Sequence, residues 1–143
     1  MTAELRAFLN SVWYARAEYN RISAKVTELE AQATNITSRL TGMPRSGNAD
    51  AQARWACIAD ETDRLYKQLQ YYFEQIHKVE EFIDRIPDDR HREVLKLRYI
   101  DCLKWAQVSQ RLSYEYRHVL RLHGEALEAA RRLWAQDNKE EKS

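Results

Sequence analysis

The sequence predicts an all-α protein: a long antiparallel coiled-coil α-hairpin followed by three shorter helices. Three observations carry that expectation. The 143 residues include only 3 Gly and 2 Pro, too few for the strand-to-helix turns and ligand loops of an α/β enzyme of this size. Charged residues make up 31% of the chain, and Ala, Leu, Glu, Arg and Gln, all good helix formers, are abundant. Two long stretches also repeat apolar residues in steps of three and four, the period of an amphipathic helix.

The first stretch runs through Leu5, Phe8, Val12, Ala15, Tyr19, Ile22, Val26, Leu29, Ala33, Ile36 and Leu40. It is a heptad seam on a helix roughly 54 Å long. Charges of both signs flank it at Glu4, Arg16, Glu18, Lys25, Glu30 and Arg39, as at coiled-coil edge positions. Thr41 to Asn48 breaks the pattern with two of the glycines and one proline, which puts a loop at 41–49. The seam resumes at Trp55, Ile58, Thr62, Leu65, Leu69, Tyr72, Ile76, Val79, Ile83 and Ile86, with Asp50 as N-cap and Pro87 as terminator. Two equal amphipathic helices joined by a short loop fold back on each other most simply. Trp13, Tyr14, Tyr66, Tyr71, Phe73 and Phe82 lie off the seam and need cover, so residues 1–86 are expected to make a homodimer or higher homo-oligomer. The competing expectation is that these aromatics pack on the C-terminal part of the same chain.

After Pro87 the elements shorten. Asp88 to Ile100 reads as one helix with acidic residues at its positive end, Lys104 to Leu112 as a second, and Glu115 to about Trp134 as a third after a turn at Ser113 and Tyr114. This spacing is that of a helix-turn-helix over 87–136, with 137–143 as a flexible tail.

The residues of this region sharpen the pattern. Ile86 to Tyr99 reads IPDDRHREVLKLRY, Leu103 to Leu112 carries Trp105 and Val108, and Val119 to Leu127 reads VLRLHGEAL. Together they resemble the three helices of region 4 of bacterial sigma factors, in the right order and spacing. Nothing resembles the sigma-factor domain that melts promoter DNA. The whole arrangement, with Met43 to Gly47 at the hairpin tip, is similar to small phage-encoded proteins near the RinA and ArpU type regulators of phage late genes.

That resemblance implies double-stranded DNA as a partner and a recognition helix that presents Tyr116, Arg117, Leu120 and Arg121 to the bases. Arg117 and Arg121, four apart, share a helix face and suit guanine edges, whereas Tyr116 and His118 suit phosphates or a thymine methyl. Arg111, Arg131 and Arg132 are placed for phosphates. Between 111 and 132 there are five arginines and three glutamates, a local positive excess in a chain whose net charge is only +1. Three positions depart from the sigma pattern. Lys104 and Glu115 stand where capping residues are usual, leaving Ser113 as an alternative cap, and Ser109 replaces a small apolar residue, with its hydroxyl expected to bond back to the preceding turn.

Catalysis and metal binding find no support. His91, His118 and His123 lack ligand spacing, the paired carboxylates at 80–81, 88–89 and 140–141 are adjacent and so point apart, and no phosphate loop or nucleophile elbow is present. Cys57 and Cys102 stand far apart and suggest reduced thiols. With no apolar run of about 20 residues and no signal-peptide pattern at the start, the protein is expected in the cytoplasm of a bacterial host, without a cofactor. Two alternatives to a phage or prophage transcription regulator stay open: a DNA-packaging component like a small terminase subunit, and a protein-interaction module that binds RNA polymerase.

Overall fold

The computed structural model describes residues 2–42 and 48–142, and the expected hairpin tip at Met43 to Gly47 lies outside them. Among the described residues there are helices and no strands. The elements are α1 (Ala3–Gly42), α2 (Asn48–Asp84), α3 (Asp89–Leu95) running on into a π-helical turn (Lys96–Ile100), α4 (Trp105–Leu112) and α5 (Tyr116–Lys142). They form two compact units, one of residues 16–73 and one of residues up to Ala15 together with Glu74 onward.

In the 16–73 unit, Ile22 and Val26 of α1 meet Leu65 and Leu69 of α2, with Tyr19, Leu29 and Tyr72 packed at the edges. The neighbours run in opposite directions: Glu18 to Lys25 lie beside Arg64 to Tyr72, and Gln32 to Ile36 beside Ala53 to Ile58. Tyr66 Oη donates to Glu30 Oε1 at 2.6 Å, and the bonded carboxylate holds the phenol above its ordinary pKa. Trp55, read from the sequence as part of the seam, is instead 48% exposed. α2 begins earlier than its expected cap Asp50, at Asn48, and Ala51 takes the buried position one turn before Trp55.

In the other unit the two long helices contribute Leu5, Leu9, Val12, Val79, Ile83 and Ile86, each almost fully buried. Phe8, Phe82 and Trp134 close a triangle of rings with centroids 5.1 to 5.8 Å apart. α5 therefore packs on these segments of α1 and α2. It also runs eight residues beyond Trp134, so the stretch 137–142, expected as a flexible tail, is helical here. Arg85 donates two hydrogen bonds of 2.8 Å to Asp137 in this last segment.

The connection from α2 to α3 follows from three residues. Pro87 blocks continuation of α2. Asp88 caps α3, accepting from the backbone N–H groups of Arg90 at 2.8 Å and His91 at 3.4 Å, and those bonds lower its carboxyl pKa. Arg92 reaches back to donate to the carbonyl oxygens of Ile86 and Pro87. α3 does not keep one helical geometry to Ile100 as the sequence suggested. Its last turn widens, with Asp101 N–H bonding to Lys96 O at 2.9 Å, and Leu97, Tyr99 and Ile100 are all buried.

Candidate functional site

α4, the turn after it and the start of α5 hold the candidate residues. Lys104 stands at the N-cap position of α4, and its side chain has no acceptor and so cannot cap. Gln107 Oε1 accepts from the Lys104 N–H at 2.9 Å and meets that need from the third position of the helix. At the other end Ser113 adopts the left-handed conformation, φ 58°, and closes α4 with its N–H on Gln110 O. Ser113 thus ends one helix and does not start the next, against the alternative raised from the sequence. Ser109 also departs from expectation: its hydroxyl donates forward to Tyr114 O, tying α4 to the turn.

The turn sets the roll of α5. Val119, Leu122, Ala126 and Ala130 are buried along one stripe, and Val119 joins Leu97 and Val108 in a core edged by Leu103, Trp105 and Leu112. Burial of that stripe leaves the first two turns of the opposite face in solvent. Tyr116 is 50% exposed and Leu120 40%, with Arg117 and Arg121 exposed beside them. Arg111, at the end of α4, and Arg117 are exposed, and among the described residues neither meets a carboxylate.

Arg121 Nη2 lies 2.9 Å from His118 Nδ1, and the guanidinium, which has no acceptor, is the donor. The His118 ring in turn stands edge-on to Tyr114, centroids 4.7 Å apart. Tyr114, 36% exposed and not singled out from the sequence as a site residue, thus forms a contact chain with His118 and Arg121. Its aromatic type next to a turn is the only sequence signal it carried.

Arg131 and Arg132 stand apart from this group, ten or more residues and about 15 Å further along α5. Arg131 makes a two-point pair with Glu128 and Arg132 approaches the same carboxylate at 4.0 Å. The pair with Arg131 holds the Glu128 carboxyl below its usual pKa. An anion would have to compete with that carboxylate at Arg131 and Arg132, as it would not at Arg111 or Arg117.

Behind the exposed face lies a set of contacts that the apolar periodicity does not show. Arg98 of the π turn stacks between Trp13 at 5.0 Å and Trp105 at 4.5 Å and donates to Leu103 O. Trp105 also meets the His123 ring at 4.5 Å, and Tyr99 Oη lies 2.9 Å from His123 Nε2. Burial, helped by the Arg98 charge, pushes His123 down to about 4, so the imidazole is neutral and shares a hydrogen bond with the phenol. Burial raises the Tyr99 phenol. These bonds join α1, the π turn, α4 and α5 into one support for the exposed start of α5.

A family model described as "protein of unknown function (DUF722)" matches residues 14–131. The chain belongs to the DUF722 family. No curated protein and no solved structure matches it. The DUF722 match takes in α3, the π turn, α4 and all the candidate residues of α5 except Arg132. No group of three or more His, Cys, Asp or Glu side chains suited to a metal ion occurs among the described residues. No helix among them is long and apolar enough to cross a membrane.

Proposed function

We propose that this DUF722 protein is a sequence-specific DNA-binding transcription regulator of phage or prophage type, with α4, the Ser113 turn and α5 acting as a helix-turn-helix of the sigma region-4 kind. α5 enters the major groove, Arg117 and Arg121 read base edges, and Tyr116, His118 and Leu120 contact phosphates or thymine methyl groups. Arg111 binds a phosphate beside them. The antiparallel hairpin of α1 and α2 joins two or more copies and so spaces the reading heads along the duplex. The protein acts in the bacterial host cytoplasm and performs no catalysis.

One observation carries the reading. The stripe Val119, Leu122 and Ala126 is buried while Tyr116, Arg117, Leu120 and Arg121 are exposed, which is how a groove-reading helix divides its faces. A duplex is selected from random DNA by gel shift, and the wild type is compared with the Arg117→Ala, Arg121→Ala double variant. Each base contact is worth about 1 to 3 kcal/mol, so the double variant is expected to bind at least thirty-fold more weakly. Undiminished binding would remove α5 from the role.

A second reading draws on the apolar share of the same surface. Tyr114, Tyr116 and Leu120 are exposed together, and a protein partner such as RNA polymerase would use them more than DNA does. DNA affinity falls steeply with salt when phosphates are neutralised. Absence of any salt-dependent DNA binding would favour this second reading.

A further inference from the structure

We infer that His118 is a positioning residue for base reading: one ring nitrogen holds the Arg121 guanidinium in place and the other is left for a phosphate. This rests on the base-reading role proposed for Arg121 and names the group that sets its geometry. An exposed arginine on a helix samples many rotamers, and freezing one of them as a base contact forms takes away part of the affinity that the contact supplies. A bond that already restrains the side chain before DNA arrives lowers that cost.

Arg121 has such a bond. Its Nη2 donates to His118 Nδ1, one turn back along α5, at 2.9 Å. His118 is half-buried where Arg121 is exposed, so the holder sits closer to the body of the protein than the group it holds. The holder is itself flanked. Tyr114 stands edge-on to the imidazole at 4.7 Å, and Ser109 of α4 fixes the Tyr114 backbone on both sides: the Tyr114 N–H donates to Ser109 O at 3.2 Å, and Tyr114 O accepts from the Ser109 hydroxyl. Contacts thus run without a gap from α4 through the turn to the guanidinium.

The chemistry of the acceptor suits a DNA reader. Arg131 is held by the Glu128 carboxylate, which sets a negative charge where an anion would have to approach. An imidazole nitrogen restrains Arg121 without adding negative charge, so the attraction of the guanidinium for the duplex is kept. The bond also takes one N–H of a forked group and leaves the others to meet a guanine edge. Arg117, one turn earlier on the same face, has no such holder among the described residues. Of the two arginines proposed to read bases, Arg121 is therefore the one whose geometry is set in advance.

Two substitutions at His118 separate holding from mere contact. His118→Phe keeps a ring beside Tyr114 and removes the acceptor, whereas His118→Asn places its Oδ1 where Nδ1 stood. Affinities of the full chain are measured at one salt concentration on the selected duplex and on duplexes changed at single base pairs, and Arg121→Ala marks the pair that Arg121 reads. Both His118 variants lose Nε2, so both should bind every duplex more weakly. Discrimination at the marked pair tells them apart: His118→Phe should lose about three-fold or more of it and keep the rest, while His118→Asn should stay within about two-fold of the wild type at every pair. His118→Phe added to Arg121→Ala should cost no further discrimination. Circular dichroism checks that helix content is kept, and His118→Leu replaces His118→Phe if it is not. Full discrimination at the marked pair in His118→Phe, an equal loss in both His118 variants, or a loss spread over all pairs would overturn the positioning role and leave base reading by Arg121 standing. A wild type without preference among the duplexes, or an Arg121→Ala variant that keeps every preference, would overturn base reading by Arg121 and this inference with it.

Discussion

The two compact units use the same two long helices and solve burial differently. In the unit containing α3 to α5, Trp134 of α5 packs on Phe8 and Phe82, and Leu5, Leu9, Ile83, Ile86, Leu95 and Leu122 are at most 2% exposed. Among the described residues of the 16–73 unit, the core is made by α1 and α2 alone. It consists of Ile22, Val26, Leu65 and Leu69, with Tyr19, Leu29 and Tyr72 left at the margin. The same heptad pattern therefore gives a closed core where α5 covers it and, among the described residues, an open edge in the 16–73 unit. Phe82 and Phe73 make the point within one helix. Both lie off the seam, yet Phe82 is 6% exposed under Trp134 and Phe73 is 57% exposed.

That contrast can be broken by experiment. The largest effect is expected from Leu122→Ala, which opens a cavity in the closed unit and should cost about 3 to 5 kcal/mol in urea unfolding. Leu69→Ala, at the open seam, should cost about 2 kcal/mol because its surroundings can relax or admit water. Equal losses would erase the distinction. Next comes pH. His123 has a folded pKa near 4 against about 6.5 unfolded, so the unfolded chain takes up the proton first. Its contribution is therefore complete above about pH 6.5 and is lost as pH falls toward 4, on the order of 2 to 3 kcal/mol. His123→Gln should remove this part of the acid slope; a slope identical to the wild type would show that the Tyr99, His123 and Trp105 contacts do not hold the closed unit. The smallest effect is a gain. A methyl group added at Gly124 meets nothing within 4 Å, so Gly124→Ala should raise stability by up to about 1 kcal/mol through helix propensity alone, read as a higher urea midpoint.

How far the fold could be read from the sequence follows the same division. The seam positions from Leu5 to Ile36 and from Ile58 to Ile86 are buried or half-buried as their period implies, because a heptad stripe reports burial directly. Contacts between helices that follow different periods leave no such mark. α5 continues to Lys142 past a contact between Asp137 and Arg85, 52 residues away, and the widened turn after Leu95 buries Leu97, Tyr99 and Ile100 together. At the candidate site, the exposed placement of Tyr116, Arg117, Leu120 and Arg121 was legible from the spacing of Val119, Leu122 and Ala126. The Arg121 to His118 bond, the Tyr114 ring beside it and the share of Glu128 taken by Arg131 and Arg132 were not, since rotamer choice has no periodic signature.

The central proposal is that the exposed start of α5 reads bases, and discrimination between bases tests it most directly. Affinities of the wild type and of Arg117→Ala are measured at one salt concentration on the selected duplex and on duplexes changed at each single base pair. The wild type should lose about ten-fold or more at several positions, and Arg117→Ala should lose discrimination at one of them while keeping the rest. A wild type with no preference among the duplexes, or an Arg117→Ala profile identical to it, would contradict base reading by α5.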